Sequence, residues 1–196
     1  MSRLLRRREV VKQLLAERGD LLVVGGLGAP SWDITAAGDH PNSFPLWGAM
    51  GGAAVLGLGL ALAQPKRAVL VVTGDGEILM GLGSLATIAV QQPRNLSIVV
   101  LDNEHYGETG MQRTHTGYGV DLVGIARAAG FAQAMDIRAA TEVTRLAAAI
   151  RAGAGPLFAA IKIDHEVLPL VLPPRETSHL KNRFRMSVLG PDAVLA

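Results

Sequence analysis

The chain has 196 residues with 49% hydrophobic and 4% aromatic content, and its formal net charge at pH 7 is +2. This length and the abundance of Ala, Val, Leu and Ile favour one folded domain over a disordered chain, and the mild charge gives no support for nucleic-acid binding. The lack of cysteine excludes disulfides, zinc thiolate sites and a cysteine nucleophile, and together with a polar N-terminus it predicts a cytoplasmic protein without a signal peptide.

Strand-like and helix-like segments alternate along the chain. The predicted strands are residues 21–24, 68–73, 96–102 and 157–164. The predicted helices are residues 8–19, about 49–63, about 77–91, 121–129 and about 141–151, with a flexible GGLGAPS stretch at 25–31 and a glycine-bearing loop at 103–119. Because the strands lack alternation of polar and apolar residues and helices separate them, we expect an α/β fold with a three-layer, doubly wound parallel sheet.

Two segments need separate interpretation. Residues 44–63 are uncharged and long enough to cross a bilayer, but they contain a proline and several glycines, so we expect a Gly/Ala-rich helix packed in the core and no membrane span. Residues 165–196 are predicted to be a C-terminal extension of a single domain 1–196, with an extended proline segment and a basic helix at an interface or lid. The basic clusters 6–8 and 181–185 are expected to be solvated helix faces or subunit contacts.

Gly74, Asp75 and Gly76 stand where a predicted strand meets a helix. In open parallel sheets, ligands bind beyond the carboxyl ends of the strands, and Asn103 follows another predicted strand at the same edge. Glycines let the backbone turn and approach a ligand, and a helix start offers free N–H groups to a phosphate. A carboxylate beside a phosphate needs a cation between them, so this pattern predicts bound Mg²⁺.

The GDG tripeptide, a gap of fewer than thirty residues and then Asn103 resemble the diphosphate-binding motif of thiamine diphosphate (ThDP) enzymes. Further matching strings are GAPS, GAMGGAAVLGLGLALA, GDGEILMGLGSLATIA, NLSIVVLDN and YGETG. From about residue 5 to residue 164 the chain is similar to the diphosphate-binding (PP) domain of ThDP-dependent decarboxylases, in particular the sulfopyruvate and phosphonopyruvate decarboxylase group. The alternative is an ordinary Asp-Gly turn with an unrelated asparagine.

The resemblance implies a set of cofactor ligands. The side chains of Asp75 and Asn103 and the carbonyl of His105 would bind Mg²⁺, with two diphosphate oxygens and a water completing the octahedron. The backbone of the GDG motif and of the Tyr-Gly pair after Asn103 would hold the phosphates, beside a turn that ends at Ser31. These backbone positions are Gly74, Gly76, Glu77, Tyr106 and Gly107.

Two further residues would hold the aminopyrimidine ring, according to the same resemblance. The carbonyl of Gly48 would accept a hydrogen bond from its amino group, and Met50 would be the bulky prop that bends the cofactor. Met50 as an ordinary core residue is the alternative.

The family's activating glutamate lies on a separate pyrimidine-binding (Pyr) domain, whereas Glu77 and Glu108 lie in the diphosphate motif. The resemblance therefore implies a hetero-oligomer in which a Pyr-domain subunit supplies that glutamate. The implied reaction is decarboxylation of a small 2-oxo acid to CO₂ and an aldehyde. An acetolactate synthase-like carboligase and a non-catalytic ThDP-binding regulatory subunit are alternatives. A Rossmann dinucleotide binder ranks low because GGLGAPS does not complete G-x-G-x-x-G.

The loop after Asn103 contains the candidate residues for substrate binding and proton donation. Relatives tend to have glycine after the asparagine, whereas this chain has Glu104 and then His105. Arg113 and His115 are candidates to pair with a sulfonate, phosphonate or carboxylate, and ordinary loop polarity is the alternative. His115 and His105 are also candidate proton donors, because imidazole titrates near neutrality.

Overall fold

The structure, a computed structural model, describes residues 4–194, so the outermost residues of the predicted domain, 1–3 and 195–196, lie outside the described range. Six strands form the main sheet: β1 (Leu22–Gly25), β2 (Ser43–Pro45), β3 (Val69–Gly74), β4 (Leu96–Asp102), β7 (Gln133–Ile137) and β8 (Leu157–Lys162). Their order is β2-β1-β3-β4-β8-β7, and every pair is parallel. Two short strands, β5 (His105–Tyr106) and β6 (Gln112–Arg113), form an antiparallel ribbon beside it.

Helices cover both faces of the sheet. They are α1 (Arg7–Leu15), α2 (Ala29–Ala36), α3 (Ala53–Ala63), α4 (Asp75–Met80), α5 (Ser84–Gln91), α6 (Leu122–Ala129), α7 (Ala140–Ala152) and α8 (Thr177–Leu189). One core cluster joins the sheet to α3, α4, α5 and α6, and a second joins it to α1, α2 and α7. This arrangement confirms the predicted three-layer, doubly wound α/β fold.

The central strands are buried on both faces, which explains their unbroken apolar sequence. In β3, Val69 and Val71 contact the first cluster, while Leu70 and Val72 contact the second. All four are fully buried. Polar residues are therefore confined to the ends of these strands, where they can reach a ligand.

Some elements differ from the sequence prediction. The expected helix 77–91 is two helices, α4 and α5, and the predicted flexible stretch 25–31 contains the start of α2. Strands β2 and β7 were not predicted, because β2 has only three residues and the edge strand β7 is mostly half-buried, without an apolar run. Both lie at the sheet edges, where burial constrains sequence least.

Helix α3 confirms the predicted Gly/Ala-rich helix but is not enclosed by this chain. Its inner face packs on β3 so closely that a Cβ on Gly57 would overlap Val71. Its outer face leaves Val55 48% and Leu62 52% exposed, so the helix lies on the core with one face and is not packed inside it. Across residues 4–194, no helix combines the length and apolar character needed to cross a membrane.

The C-terminal helix α8 packs against the edge strand β2. The rings of Phe44 and Phe184 lie 5.2 Å apart, and Arg183 donates two hydrogen bonds to Asp39, at 2.5 and 2.9 Å. The hydrogen bonds from Arg183 hold the pKa of Asp39 below its usual value. Arg183, in the cluster expected to be solvated or at a subunit contact, thus has a partner within the chain, and α8 covers a sheet edge that would otherwise be open to pairing.

The break between α4 and α5 provides a test of close backbone packing. A Cβ on Gly81 would overlap the carbonyl oxygen of Gly51, whereas a Cβ on Gly83 meets nothing within 4 Å. We expect Gly81→Ala to lower the free energy of unfolding by about 1–3 kcal/mol, because backbone atoms must shift to make room. Gly83→Ala is the matched control and should be neutral or stabilising by less than about 1 kcal/mol. Urea denaturation measures both, and equal values for the two variants would contradict the close approach.

Candidate active site

A cavity of about 280 Å³ opens at the carboxyl edge of β3 and β4. Three parts of the chain supply most of its lining: residues 74–77, most of residues 103–109, and the segment that begins at His165. Of the predicted site residues, Met50, Gly74, Asp75, Gly76, Glu77, Asn103, His105, Tyr106 and Gly107 line this cavity. Ser31, Gly48, Arg113 and His115 do not.

Asp75 is a buried carboxylate of the cavity, with 2% of its surface exposed. The hydroxyl of Thr114 donates to its Oδ2 atom, and the Thr116 hydroxyl lies 3.1 Å from the same oxygen and 2.8 Å from Oδ1 of Asp102. Burial raises the pKa of Asp75 to about 6, and the neighbouring charge of Asp102 acts in the same direction. A cation bound at the other oxygen, Oδ1, would favour the ionised carboxylate.

Asn103 and His105 form a tight turn directly after β4. The Asn103 Oδ1 atom accepts a hydrogen bond from the His105 N–H at 3.0 Å, and the Asn103 carbonyl lies 2.8 Å from His105 Nδ1. An amide oxygen has two lone pairs, so Oδ1 keeps one for a ligand. Glu104 has a φ of +64°, the left-handed conformation that glycine adopts most easily, and Lys162 holds its carboxylate at 2.7 Å. This ion pair helps to hold a glutamate where relatives tend to have glycine.

The two glycines of the GDG motif have different roles. A Cβ on Gly76 would lie 2.5 Å from the Tyr106 ring, so glycine is needed for that ring to pack on α4. A Cβ on Gly74 would meet no protein atom within 4 Å, yet Gly74 lines the cavity. The missing side chain at Gly74 therefore leaves space for a ligand.

Glu77 is buried beneath the turn between β1 and α2. Its Oε2 atom accepts hydrogen bonds from the Thr73 hydroxyl at 2.7 Å and from the Leu27 N–H at 2.9 Å. The other oxygen, Oε1, is buried and has no hydrogen-bond partner among residues 4–194. A Cβ on Gly26 would overlap Oε2, so the size of Glu77 requires glycine there. The sequence indicated only a backbone role for Glu77.

Met50 lies at the mouth of the cavity with 59% of its surface exposed, which excludes the alternative of an ordinary core residue. Gly48 adopts a φ of +71° in the exposed loop before it. The hydroxyl of Ser31 donates to the Gly26 carbonyl at 2.7 Å and so holds the turn before α2. Ser31 thus supports the turn beside the cavity, and neither Ser31 nor Gly48 lines the cavity.

Arg113 and His115 are exposed beside the β5–β6 ribbon. The Arg113 guanidinium donates to the Gly117 carbonyl and lies 4.7 Å from the centre of the Tyr118 ring. Both side chains therefore belong to the outer surface of this loop in the structure. A substrate role for them rests on sequence proximity to Asn103 alone.

Arg7 lines the cavity, although its cluster was expected to be solvated or at a subunit contact. Its Nε atom lies 3.4 Å from Oδ2 of the buried Asp33, and Arg8 lies 3.0 Å from the other oxygen. Burial raises the pKa of Asp33, and the charge of Arg7 opposes that rise. The expectation of a solvated helix face is therefore wrong for Arg7 and Arg8, because a buried carboxylate pairs with both.

The C-terminal extension supplies a wall of the cavity, which the sequence indicated only as an interface or lid. The His165 ring lies 5.4 Å from the His105 ring, and Glu166 accepts a hydrogen bond from Arg6 at 2.9 Å. Arg8 also donates to the Pro169 carbonyl at 2.9 Å. These contacts attach the extension to α1 and to the residue before it, beside the GDG motif.

The described residues contain no group of three His, Cys, Asp or Glu side chains that could hold a metal ion. The predicted magnesium site does not need such a group. It combines one carboxylate, one amide and one backbone carbonyl, and oxygen ligands of these kinds suit Mg²⁺.

A family profile described as "Thiamine pyrophosphate enzyme, C-terminal TPP binding domain" matches residues 32–161, about two thirds of the chain. The chain belongs to this family. Thiamine pyrophosphate is another name for ThDP, so the resemblance drawn from the GDG and Asn103 motifs is confirmed, as is the class of ThDP-dependent enzyme.

Individual members of the ThDP family give a finer comparison. The beta subunit of sulfopyruvate decarboxylase from Methanothermobacter thermautotrophicus is 44% identical over 128 residues, which cover 65% of this chain and 68% of that subunit. Phosphonopyruvate decarboxylase from Streptomyces viridochromogenes is 38% identical over 185 residues, which cover 93% of this chain. The chain spans 46% of that second protein.

Solved structures of ThDP enzymes share the fold. Benzoylformate decarboxylase from Polynucleobacter necessarius superposes with a TM-score of 0.67 at 21% identity, over 84% of this chain and 34% of that one. A putative thiamin diphosphate-dependent enzyme from Mycobacterium smegmatis gives 0.70 at 22% identity, over 83% and 32%. At these identities the similarity establishes the fold alone.

The contact between Gly26 and Glu77 can be tested by a double-mutant cycle. Gly26→Ala should destabilise the fold because the new Cβ overlaps Glu77 Oε2. In a Glu77→Ala background the Glu77 carboxylate is absent, and the remaining close neighbour of that Cβ is Thr73 Oγ1, at 3.0 Å. We expect the double variant with Glu77→Ala to be more stable than the sum of the single effects predicts, by about 0.5–3 kcal/mol. Additive free energies of unfolding in urea would contradict this contact.

Proposed function

We propose that the chain is the ThDP- and Mg²⁺-binding subunit of a two-subunit 2-oxo acid decarboxylase. One observation carries this proposal: Asp75 and Asn103, which follow neighbouring strands, line a single cavity in a chain of the ThDP family. The sulfopyruvate and phosphonopyruvate decarboxylases among its relatives support decarboxylation as the reaction.

The residues present fit both the metal and the cofactor. Asp75 Oδ1, the second lone pair of Asn103 Oδ1 and the His105 carbonyl would be the protein ligands of Mg²⁺. The open space at Gly74 would admit the diphosphate. The N–H groups of the first turn of α4, at Gly76 and Glu77, and those of Tyr106 and Gly107 would bind its oxygens. Met50, at the cavity mouth, would support the bent cofactor, with the Gly48 carbonyl beside it.

When bound, ThDP supplies a thiazolium ring that accepts the electrons of the bond broken as CO₂ leaves. The protein has to hold the 2-oxo acid beside that ring, exclude water and deliver a proton. Among residues 4–194, Arg7 is the only arginine or lysine whose side chain lines the cavity. We therefore propose that Arg7 binds the anionic group of the substrate. His105, which also lines the cavity, is the proposed proton donor, and Arg113 and His115 would reach a substrate only after movement of their loop.

A Pyr-domain subunit is the proposed partner and the source of the activating glutamate. Three sulfopyruvate relatives are named as beta subunits, and phosphonopyruvate decarboxylase is about twice as long as the region matched here. The exposed Met50 and the exposed apolar face of α3 support a covering subunit on this side. We therefore propose that each active site lies between this chain and its partner.

The metal site gives the first test. Asp75→Asn should abolish Mg²⁺-dependent ThDP binding by the full chain, because the carboxylate ligand is lost while the shape is kept. Calorimetric titration of the chain with ThDP, with and without Mg²⁺, measures this. Asp20→Asn, at an exposed carboxylate, is the matched control and should bind as the wild type does. Unchanged binding by Asp75→Asn would overturn the assigned site.

Reconstitution tests the reaction and the partner. We expect the purified chain alone to be inactive towards sulfopyruvate, phosphonopyruvate and pyruvate, and a Pyr-domain subunit to restore CO₂ release. Coupled assays for the aldehyde identify decarboxylation, whereas an acyloin product would favour the carboligase alternative. Robust decarboxylation by the chain alone would contradict the two-subunit proposal, and no turnover by the reconstituted pair would favour a regulatory role.

A further inference from the structure

We propose that Thr116, Asp102 and Lys162 form a hydrogen-bonded chain that positions the Asp75 carboxylate for the metal. This inference rests on the proposed function, because it assigns a role relative to the Mg²⁺ site. None of these three residues lines the cofactor cavity. They line a separate depression on the other side of Asp75, at the ends of β4 and β8. We call the three residues the positioning chain.

The positioning chain is continuous and largely buried. Thr116 Oγ1 lies 3.1 Å from Asp75 Oδ2 and 2.8 Å from Asp102 Oδ1. Lys162 Nζ lies 2.7 Å from Asp102 Oδ2 and 2.7 Å from Glu104 Oε1. The two aspartates and Thr116 are buried, so water cannot easily replace these partners.

A count of protons shows why the lysine matters. Thr114 and Thr116 each carry one hydroxyl proton, and both hydroxyls contact Asp75 Oδ2. Asp102 receives the Glu104 N–H at 3.1 Å on one oxygen and Lys162 on the other. The single Thr116 proton has two acceptors, Asp102 Oδ1 at 2.8 Å and Asp75 Oδ2 at 3.1 Å, and the two other donors on Asp102 leave that proton available to Asp75.

Two donors on Oδ2 fix the rotation of the Asp75 carboxylate and leave Oδ1 for the metal. Without Lys162, Asp102 becomes a buried carboxylate that lacks its cation and competes for the Thr116 proton. Asp75 then loses one of the two donors that hold its plane. Groups that orient metal ligands in this way typically change metal affinity by about 10- to 100-fold when they are removed.

Metal selectivity distinguishes positioning from general support of the fold. Mg²⁺ requires nearly ideal octahedral geometry, whereas Ca²⁺ accepts variable geometry and coordination number. A carboxylate that is present but poorly oriented should therefore weaken Mg²⁺ more than Ca²⁺. A general loss of folded structure should weaken both metals equally.

The test uses Thr116→Val, which removes the hydroxyl, and Thr116→Ser, which keeps it. Mg²⁺ and Ca²⁺ titrations of the full chain in the presence of ThDP give the two affinities by calorimetry. We expect Thr116→Val to lose about 10- to 100-fold in Mg²⁺ affinity with a smaller loss for Ca²⁺, and Thr116→Ser to stay close to the wild type. Thr87→Val, at an exposed threonine on α5, is the matched control and should have no effect.

A second set of variants tests the lysine end. Lys162→Met should lower the Mg²⁺ affinity, and the double variant Lys162→Met with Asp102→Asn should recover part of the loss, because a neutral amide needs no cation. The positioning role is overturned if Thr116→Val binds Mg²⁺ normally, or if it loses Mg²⁺ and Ca²⁺ to the same extent. A wild-type chain that binds no metal with ThDP would instead contradict the proposed function itself.

Discussion

The parallel pairing of β3 and β4 is the constraint on which the candidate site depends. Gly74 at the end of β3 lies opposite Leu101, so Asp75 and Asn103 follow the two strands at the same edge of the sheet. Both strands are almost completely buried and apolar, and this burial fixes their register. A slip of one residue would exchange the side chains that pack in the two core clusters, so the packing of both clusters also determines the relative position of the two predicted metal ligands.

Close contacts at glycines then set the shape of the cavity. Gly26 makes room for the Glu77 carboxylate, Gly76 for the Tyr106 ring, and Gly81 for the backbone at Gly51. Each contact joins two segments that are distant in sequence, and each brings cavity residues nearer to one another. The abundant glycine is therefore partly a requirement of packing around the site, and it acts together with the turn conformations that glycine permits.

The central elements and the ligand motif could be predicted from the sequence, because both depend on short-range patterns. Four largely apolar runs and the GDG–Asn103 spacing are enough for the four inner strands of the sheet and for the family. The partners of Asp75 could not be predicted, because Thr114 and Thr116 reach this region only through the folded loop, and neither could Lys162, which reaches Asp102 from strand β8. For Arg113 the sequence suggested a substrate contact that the structure does not show. Arg113 lies close to Asn103 along the chain, but its pairing with His105 in the β5–β6 ribbon places it outside the cavity.

The charges around the cavity explain why an anionic cofactor would need a metal there. Among the described residues, four carboxylates line the cavity, those of Asp75, Glu77, Glu108 and Glu166. Arg7 is the only arginine or lysine in the same lining within the described part of the chain. A diphosphate entering such a space would be repelled unless a cation bound with it, because unpaired like charges in a partly buried site are costly. A divalent ion held by Asp75 would reverse this balance locally. The acidic lining therefore favours entry of the diphosphate together with its metal over entry of the diphosphate alone.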